Sequence, residues 1–266
     1  MVHFVGAGPG SEDLITVRGF RLLQEADVII YAGSLVNPKL LINKREDCLV
    51  YNSATMNLEE VLAVIMDAEA KGLQTVRLHT GDPSIYGAIR EQMDELKKQN
   101  IVYDICPGVS SFCGAAASLS LEYTLPGVSQ SVIITRMAGR TEVPERESIQ
   151  KFAEHQATMV IFLSTGMLEE LSEELIAGGF MPETPAAIVY KATWPDEKKL
   201  VCSIASLAET AKAEGITKTA LIIVGNVLGN TYEYSKLYDK AFTTEYRQGK
   251  GSPKKGVVEN GRQNEN

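Results

Sequence analysis

Short apolar runs recur along the first half of the chain. Each is closed by glycine, proline or a small polar residue, and longer stretches with apolar residues at helical spacing lie between them. Val2–Val5, Asp27–Tyr31, Cys48–Tyr51, Thr75–His79 and Val102–Cys106 are the predicted strands. The apolar pairs Ile29-Ile30 and Val76/Leu78 are those of strands covered on both faces. Leu14–Glu25, Leu58–Lys71, Ile85–Lys98 and Ser111–Ser118 are the predicted helices. Asn57 and Glu60 have the spacing of a capping box at the start of one of them. Strand alternating with helix predicts a mostly parallel sheet with helices on both faces.

After Pro126-Gly127 the pattern changes. Strands become more closely spaced and more β-branched, at Ser131–Thr135, Thr158–Leu163, Ala186–Tyr190, Lys199–Ser203 and Leu221–Val224. The short Trp194-Pro195-Asp196-Glu197 link predicts a hairpin between the third and fourth of these. The second half is therefore expected to hold a mixed sheet. A boundary near Leu121–Val128 divides the chain into two α/β domains, 1–122 and 128–247. The tail, 248–266, is polar and rich in glycine and lysine, and is expected to be disordered.

Composition narrows the functional classes. With 266 residues, 44% hydrophobic and 23% charged, the chain has the make-up of a globular protein. A net charge of −8 and the lack of a basic stripe argue against nucleic-acid binding. No apolar run has the length of a membrane span and no basic amphipathic helix is evident, so no membrane partner is expected. The first residues show neither a charged leader nor a signal-type apolar core, which predicts a cytoplasmic protein. Cys48, Cys106, Cys113 and Cys202 form no C-x-x-C pair and are expected to be buried or half-buried free thiols. His3, His79 and His155 are too scattered for a metal site, and only His79 adjoins a motif.

Candidate chemistry gathers at strand ends. Val5-Gly6-Ala7-Gly8-Pro9-Gly10 closes the first strand with a glycine-rich turn, as in a nucleotide-type crossover. Pro9 removes a backbone donor where a pyrophosphate cradle needs one, which points to a ligand without phosphate. Thr80-Gly81-Asp82-Pro83 follows a strand, where parallel sheets place ligands. Asp82 can accept hydrogen bonds from an amine or a ribose hydroxyl, or it or Ser84 can cap a helix with Pro83 at the first position. Ser110 and Ser111 after Pro107-Gly108 present the same choice, with the cap favoured on spacing alone; Gly114–Ala117 suggests close packing on the sheet. Arg136 and Arg140 share one irregular segment and suit carboxylates through planar forks, or are solvated surface arginines. Lys191, beside the only tryptophan, is read as an electrostatic or structural lysine rather than a Schiff base.

In this order the motifs resemble those of the tetrapyrrole (corrin/porphyrin) methyltransferases. The resemblance is carried by Val5–Gly10 with Asp13-Leu14-Ile15-Thr16, by Thr80–Pro83 and by Pro107–Ser111, and it extends to about Arg247. His79–Pro83, Gly139-Arg140-Thr141, the Val189–Glu197 block and Ser235–Lys240 resemble most the branch that methylates C-11 of precorrin-4 or cobalt-precorrin-4. Members of this family have two α/β domains with a cofactor cleft between them, use S-adenosylmethionine, and form homodimers. The resemblance assigns cofactor contacts to Thr80, Gly81 and Asp82 and to Ser110 and Ser111. Phe162, Leu163 and Ala192, with Leu221, complete the implied pocket from the second domain, and Ile85 and Tyr86 line it too. It turns the glycine-rich loop, with Pro9, toward the tetrapyrrole. The substrate it implies carries acetate and propionate carboxylates, which Arg136 and Arg140, with Lys191 as an outside choice, are expected to hold. Histidines that members often carry near Phe242–Arg247 and at position 57 are missing here, so neither is required.

Methyl transfer from a sulfonium needs alignment and exclusion of water more than acid–base catalysis, which agrees with the lack of a triad motif. The net negative charge disfavours long-range steering of an anionic substrate, so any positive region has to be local. Competing readings are a methyltransferase acting at another macrocycle position or on uroporphyrinogen, a Rossmann-like oxidoreductase, and a non-catalytic tetrapyrrole carrier.

Overall fold

The computed structural model describes residues 1–33 and 35–252, and the backbone of Val257–Glu259. The chain divides into two compact units. One comprises Met1–Ala115 with Lys191–Glu197; the other comprises Ala116–Tyr190 and the described residues from Lys198 onward.

The first unit alternates strand and helix: β1 (Val2–Gly6), α1 (Val17–Glu25), β2 (Val28–Tyr31), β3 (Leu49–Asn52), α2 (Leu58–Ala70), β4 (Thr75–His79), α3 (Arg90–Lys98), β5 (Tyr103–Cys106) and the start of α4 (Ser111–Ser118), which runs on into the second unit from Ala116. All five strands run parallel in the order β3-β2-β4-β1-β5. Side chains alternate across a strand, so one strand feeds two cores. Val5, Ile29, Val76 and Leu78 pack with Leu23 of α1. Val2, Phe4, Val28 and Ile30 pack with Val61 and Ile65 of α2 and Leu96 of α3. Burial of each such side chain stabilises the fold by about 1.5–3 kcal/mol. The expected parallel sheet covered on both faces is what forms. Because β1 lies between β4 and β5, the loops leaving those strands converge at one edge of the sheet.

The second unit contains β6 (Val132–Arg136), α5 (Ile149–Ala153), β7 (Thr158–Phe162), α6 (Leu168–Ala177), β8 (Pro185–Tyr190), β9 (Lys198–Ser203), α7 (Leu207–Ala213), β10 (Ala220–Val224), β11 (Thr231–Glu233) and β12 (Val257–Glu259). Its sheet is mixed, in the order β6-β7-β10-β8-β9, with β6 and β7 parallel and the other pairs antiparallel. Met159, Ile161, Ile188 and Ile222 pack with Ile149 of α5, Leu171 and Leu175 of α6, and Leu207 of α7. The hairpin anticipated from the short link is β8–β9. β12 pairs antiparallel with β11. It falls within the tail expected to be disordered, whose positions 253–256 and 260–266 lie outside the described residues.

Two helix boundaries and the burial of one cysteine differ from the sequence reading. α1 begins at Val17, after Thr16, whose hydroxyl accepts the Gly19 N–H at 3.1 Å; Glu12–Leu14 is a separate 3-10 turn. α3 begins at Arg90, not Ile85, because Tyr86 (φ 55°) and Ala88 (φ 48°) are left-handed and cannot continue a right-handed helix. Cys113 is exposed, while Cys48 and Cys106 are buried and Cys202 is half-buried; all four are free thiols. The Asn57–Glu60 capping box is present, with Asn57 Oδ1 accepting the Glu60 N–H at 2.9 Å and Glu60 Oε2 accepting the Asn57 N–H at 2.8 Å. Among the described residues, no helix is long and apolar enough to cross a membrane.

Candidate functional site

At the sheet edge of the first unit the chain passes three times through a space too narrow for side chains. A Cβ placed on Gly6 would stand 2.5 Å from Gly108 Cα and 2.6 Å from the Gly81 carbonyl oxygen. One placed on Gly108 would meet that same oxygen at 2.2 Å. Glycine is therefore required where β1, β4 and β5 end. Gly8 and Gly81 exchange backbone hydrogen bonds, at 3.3 Å from the Gly8 N–H and 2.8 Å from the Gly81 N–H. The glycine-rich turn and the Thr80–Asp82 loop are thus one bonded unit.

Asp82 locks this edge. Its Oδ2 accepts the Gly108 N–H at 2.8 Å, and its Oδ1 accepts the Ser84 N–H at 2.8 Å and the Ser84 hydroxyl. Burial works against its charge. The Ser84 hydroxyl and the Gly108 and Ser84 N–H groups outweigh it and hold the carboxyl below its ordinary value. The carboxylate caps a turn rather than the helix weighed from sequence, since α3 starts eight residues later. Pro83 is buried, Thr80 and Ile85 are half-buried, and Tyr86 is exposed. Ser110 is buried and Ser111 half-buried, and no side-chain hydrogen bond ties either hydroxyl within the described residues. The capping role favoured from spacing is absent among the described residues. Gly114 packs not on the sheet but on the turn: a Cβ there would lie 2.8 Å from Pro9 Cβ and 3.2 Å from Thr193 Cγ2.

Behind the loop, the buried polar side chains of β4 include Arg77 and His79. The Arg77 guanidinium donates to Gln92 Oε1 at 3.2 Å and to the Ile30 carbonyl at 3.1 Å; burial pulls its pKa down to about 10. Gln92 in turn donates to the Ala88 carbonyl at 3.0 Å, fixing the left-handed segment before α3. His79, whose ring lies 6.0 Å from that of Phe4, has its Nε2 buried without a partner among the described residues. Burial, reinforced by Arg77, lowers its pKa to about 3, so the imidazole is neutral.

The glycine-rich turn meets Lys191–Glu197, a contact that no local pattern announces. Trp194 Nε1 donates to the Pro9 carbonyl at 3.2 Å, and the Ser11 N–H donates to Thr193 Oγ1 at 3.0 Å. Pro9 is buried, and so is Ala192. Lys191 pairs with Asp196 at 2.5 Å and lies 5.4 Å from the Trp194 ring centre, so its charge is already matched locally.

In the second unit, Arg136 at the end of β6 donates to the carbonyls of Met137 (3.0 Å), Thr141 (3.1 Å) and Glu142 (2.8 Å). It organises its own loop, and Arg140 on that loop is exposed. Phe162 ends β7 half-buried; Leu163 is 66% exposed in a left-handed conformation (φ 54°); Leu221 is buried within β10.

The glycine-rich turn offers few free N–H groups to a phosphate. The Gly8 N–H is taken by Gly81, the Ser11 N–H by Thr193, and Pro9 has none. What remains is a charged carboxylate and two hydroxyls, a set that suits amine and hydroxyl groups on a cationic ligand.

The chain is similar to a family of known proteins along most of its length. The family model of the tetrapyrrole (corrin/porphyrin) methylases matches residues 1–208. A cobalt-precorrin-4 C(11)-methyltransferase of Methanocaldococcus jannaschii is 57% identical over 248 residues, 93% of this chain and 96% of its own. A precorrin-4 C(11)-methyltransferase of Pseudomonas aeruginosa is 41% identical over 93% of this chain and 99% of its own. The X-ray structure of a cobalt precorrin-4 methyltransferase is similar with a TM-score of 0.84 at 44% identity, covering 85% of this chain and 95% of that one. The Thermus thermophilus uroporphyrin-III C-methyl transferase complexed with S-adenyl homocysteine gives 0.72 at 27% identity, covering 85% and 92%. The chain belongs to the tetrapyrrole (corrin/porphyrin) methylases.

Proposed function

We propose that this chain is an S-adenosylmethionine-dependent methyltransferase that methylates C-11 of cobalt-precorrin-4 during corrin-ring assembly in cobalamin biosynthesis. The observation that carries the proposal is the 57% identity to a relative of that name along 93% of the chain. The 41% identical relative favours metal-free precorrin-4 as a second reading.

The methyl donor, when bound, supplies a sulfonium-activated methyl group to an electron-rich ring carbon. The protein's own part is placement. Thr80, Gly81, Asp82, Ser110 and Ser111 take the donor, with Ile85, Tyr86 and Ala192 beside them. Asp82, held ionised by its N–H and hydroxyl partners, faces the donor's positive charge. Pro9 and the glycine-rich turn meet the macrocycle. Arg140 binds a ring carboxylate, and Arg136 keeps Arg140's loop in shape. Lys191, matched by Asp196, contributes little net charge to the substrate. In-line displacement needs alignment above all, so no proton relay has to be supplied for the transfer itself. On the family resemblance, the enzyme works as a homodimer, which sedimentation tests.

The test is to incubate the protein with methyl-13C-labelled S-adenosylmethionine and, separately, cobalt-precorrin-4 and precorrin-4. One new labelled methyl at C-11 by 13C NMR supports the proposal, and the faster substrate identifies the physiological one. A methyl at another ring carbon, or none, overturns it.

A further inference from the structure

The glycine-rich turn is gripped at both ends. At Gly8 it is bonded to Gly81. At Pro9–Ser11, consecutive backbone groups are satisfied by side chains. The Pro9 carbonyl accepts from Trp194 Nε1, the Gly10 carbonyl from Asn37 Nδ2 at 2.8 Å, and the Ser11 N–H donates to Thr193 Oγ1. A Cβ on Gly10 would stand 2.1 Å from Trp194 Cδ1, so the indole occupies the space a side chain would need.

The gripping segment is itself held under strain. Lys191 (φ 47°) and Thr193 (φ 68°) are left-handed, and a β-branched residue there is costly. The Thr193 N–H is taken by the Glu197 carboxylate, while Lys191 is pinned to Asp196 and lies by the Trp194 ring. A passive turn would relax to an unstrained shape, whereas this one is over-determined by side chains so that Trp194 and Thr193 point at Pro9–Ser11.

We propose that Trp194 and Thr193 are positioning residues for the methyl acceptor. They hold Pro9, Gly10 and Ser11 in the shape that receives the tetrapyrrole, and they leave methyl-donor binding untouched. This rests on the reading above, in which the glycine-rich turn faces the macrocycle. A turn ordered in advance avoids an ordering cost on binding, and a small misplacement of the acceptor costs rate steeply.

The experiment compares Trp194→Phe, Thr193→Val and Thr193→Ser with the wild type on cobalt-precorrin-4, together with calorimetric affinity for S-adenosylhomocysteine. Thr193→Val keeps the shape and removes the hydroxyl; Thr193→Ser keeps the hydroxyl. Trp194→Phe and Thr193→Val are expected to lower kcat/KM for the tetrapyrrole by about 10- to 100-fold, with donor affinity within about 2-fold. Thr193→Ser is expected to recover to within about 3-fold of the wild type. Trp194 is the only tryptophan, so its near-UV circular dichroism follows the clamp, kept in Thr193→Ser and weakened in Thr193→Val. Equal losses in donor affinity and turnover, or no loss in either, would overturn the proposal. A wild type inactive on the tetrapyrrole would overturn the reading beneath it, and the clamp with it, before any variant is compared.

Discussion

The carboxylate of Asp82 reaches across the sheet edge to the backbone of Gly108, with Oδ2 2.8 Å from the Gly108 nitrogen. One side chain thereby joins the loop after β4 to the loop after β5, and the candidate donor contacts Thr80–Asp82 and Ser110–Ser111 become a single rigid edge.

Asp82→Ala should loosen that edge. A hydrogen bond to a charged group contributes about 1.5–3 kcal/mol, toward the low end here because the carboxylate is half-buried. Urea unfolding should show a loss of that size, and S-adenosylhomocysteine affinity should fall at least about tenfold. The folded-state pKa of Asp82 lies below its ordinary value. Its contribution is therefore full above that ordinary carboxylate range and is lost as pH falls through the lowered pKa. Asp82→Ala should accordingly be less sensitive to acid over that range.

His79 has a separate pH signature. Its pKa is about 3 in the fold, against 6.5 in an unfolded chain. Between these values the unfolded state binds more protons, so stability rises with pH and falls on acidification below about pH 6.5. The wild type should lose up to about 2 kcal/mol between pH 7 and pH 5 from this group. His79→Phe should flatten that slope in equilibrium unfolding at the two pH values.

Much of the first unit is written in its periodicity. β4 occupies Thr75–His79, the stretch its apolar alternation marks, and the Asn57–Glu60 capping box starts α2. The late start of α3 was hidden, because nothing in Ile85–Ile89 announces left-handed Tyr86 and Ala88. Their conformation is imposed from β4, through Arg77 and Gln92 to the Ala88 carbonyl. The Trp194–Pro9 contact spans 185 positions, and no local pattern encodes a partner so far away. At Ser110 and Ser111 spacing alone favours a cap, because it cannot show that the two hydroxyls stay unbonded.

Gln92 should matter more to stability than its buried partner does. Gln92→Ala leaves the Arg77 guanidinium without its side-chain acceptor and frees the Ala88 carbonyl. A cost of about 2–4 kcal/mol is expected in urea unfolding, since buried groups left unsatisfied lose their full desolvation energy. Arg77→Met removes the buried charge itself and should cost less than Gln92→Ala.

The two arginines of the second unit should separate kinetically. Arg140→Ala should raise KM for the tetrapyrrole about tenfold while leaving stability within about 0.5 kcal/mol. Arg136→Ala breaks bonds to the Met137, Thr141 and Glu142 carbonyls, so it should raise KM and also lower thermal stability. Unchanged substrate affinity and turnover in Arg136→Ala would remove that loop from substrate binding.

Calorimetric titration of the purified protein with S-adenosylhomocysteine, with NAD as control, decides whether the chain holds a methyl donor. Saturable one-site binding of S-adenosylhomocysteine, with a Kd of about micromolar, and no heat from NAD is the predicted result. No binding of S-adenosylhomocysteine to a protein shown to be folded by circular dichroism, or saturable binding of NAD in its place, would contradict it.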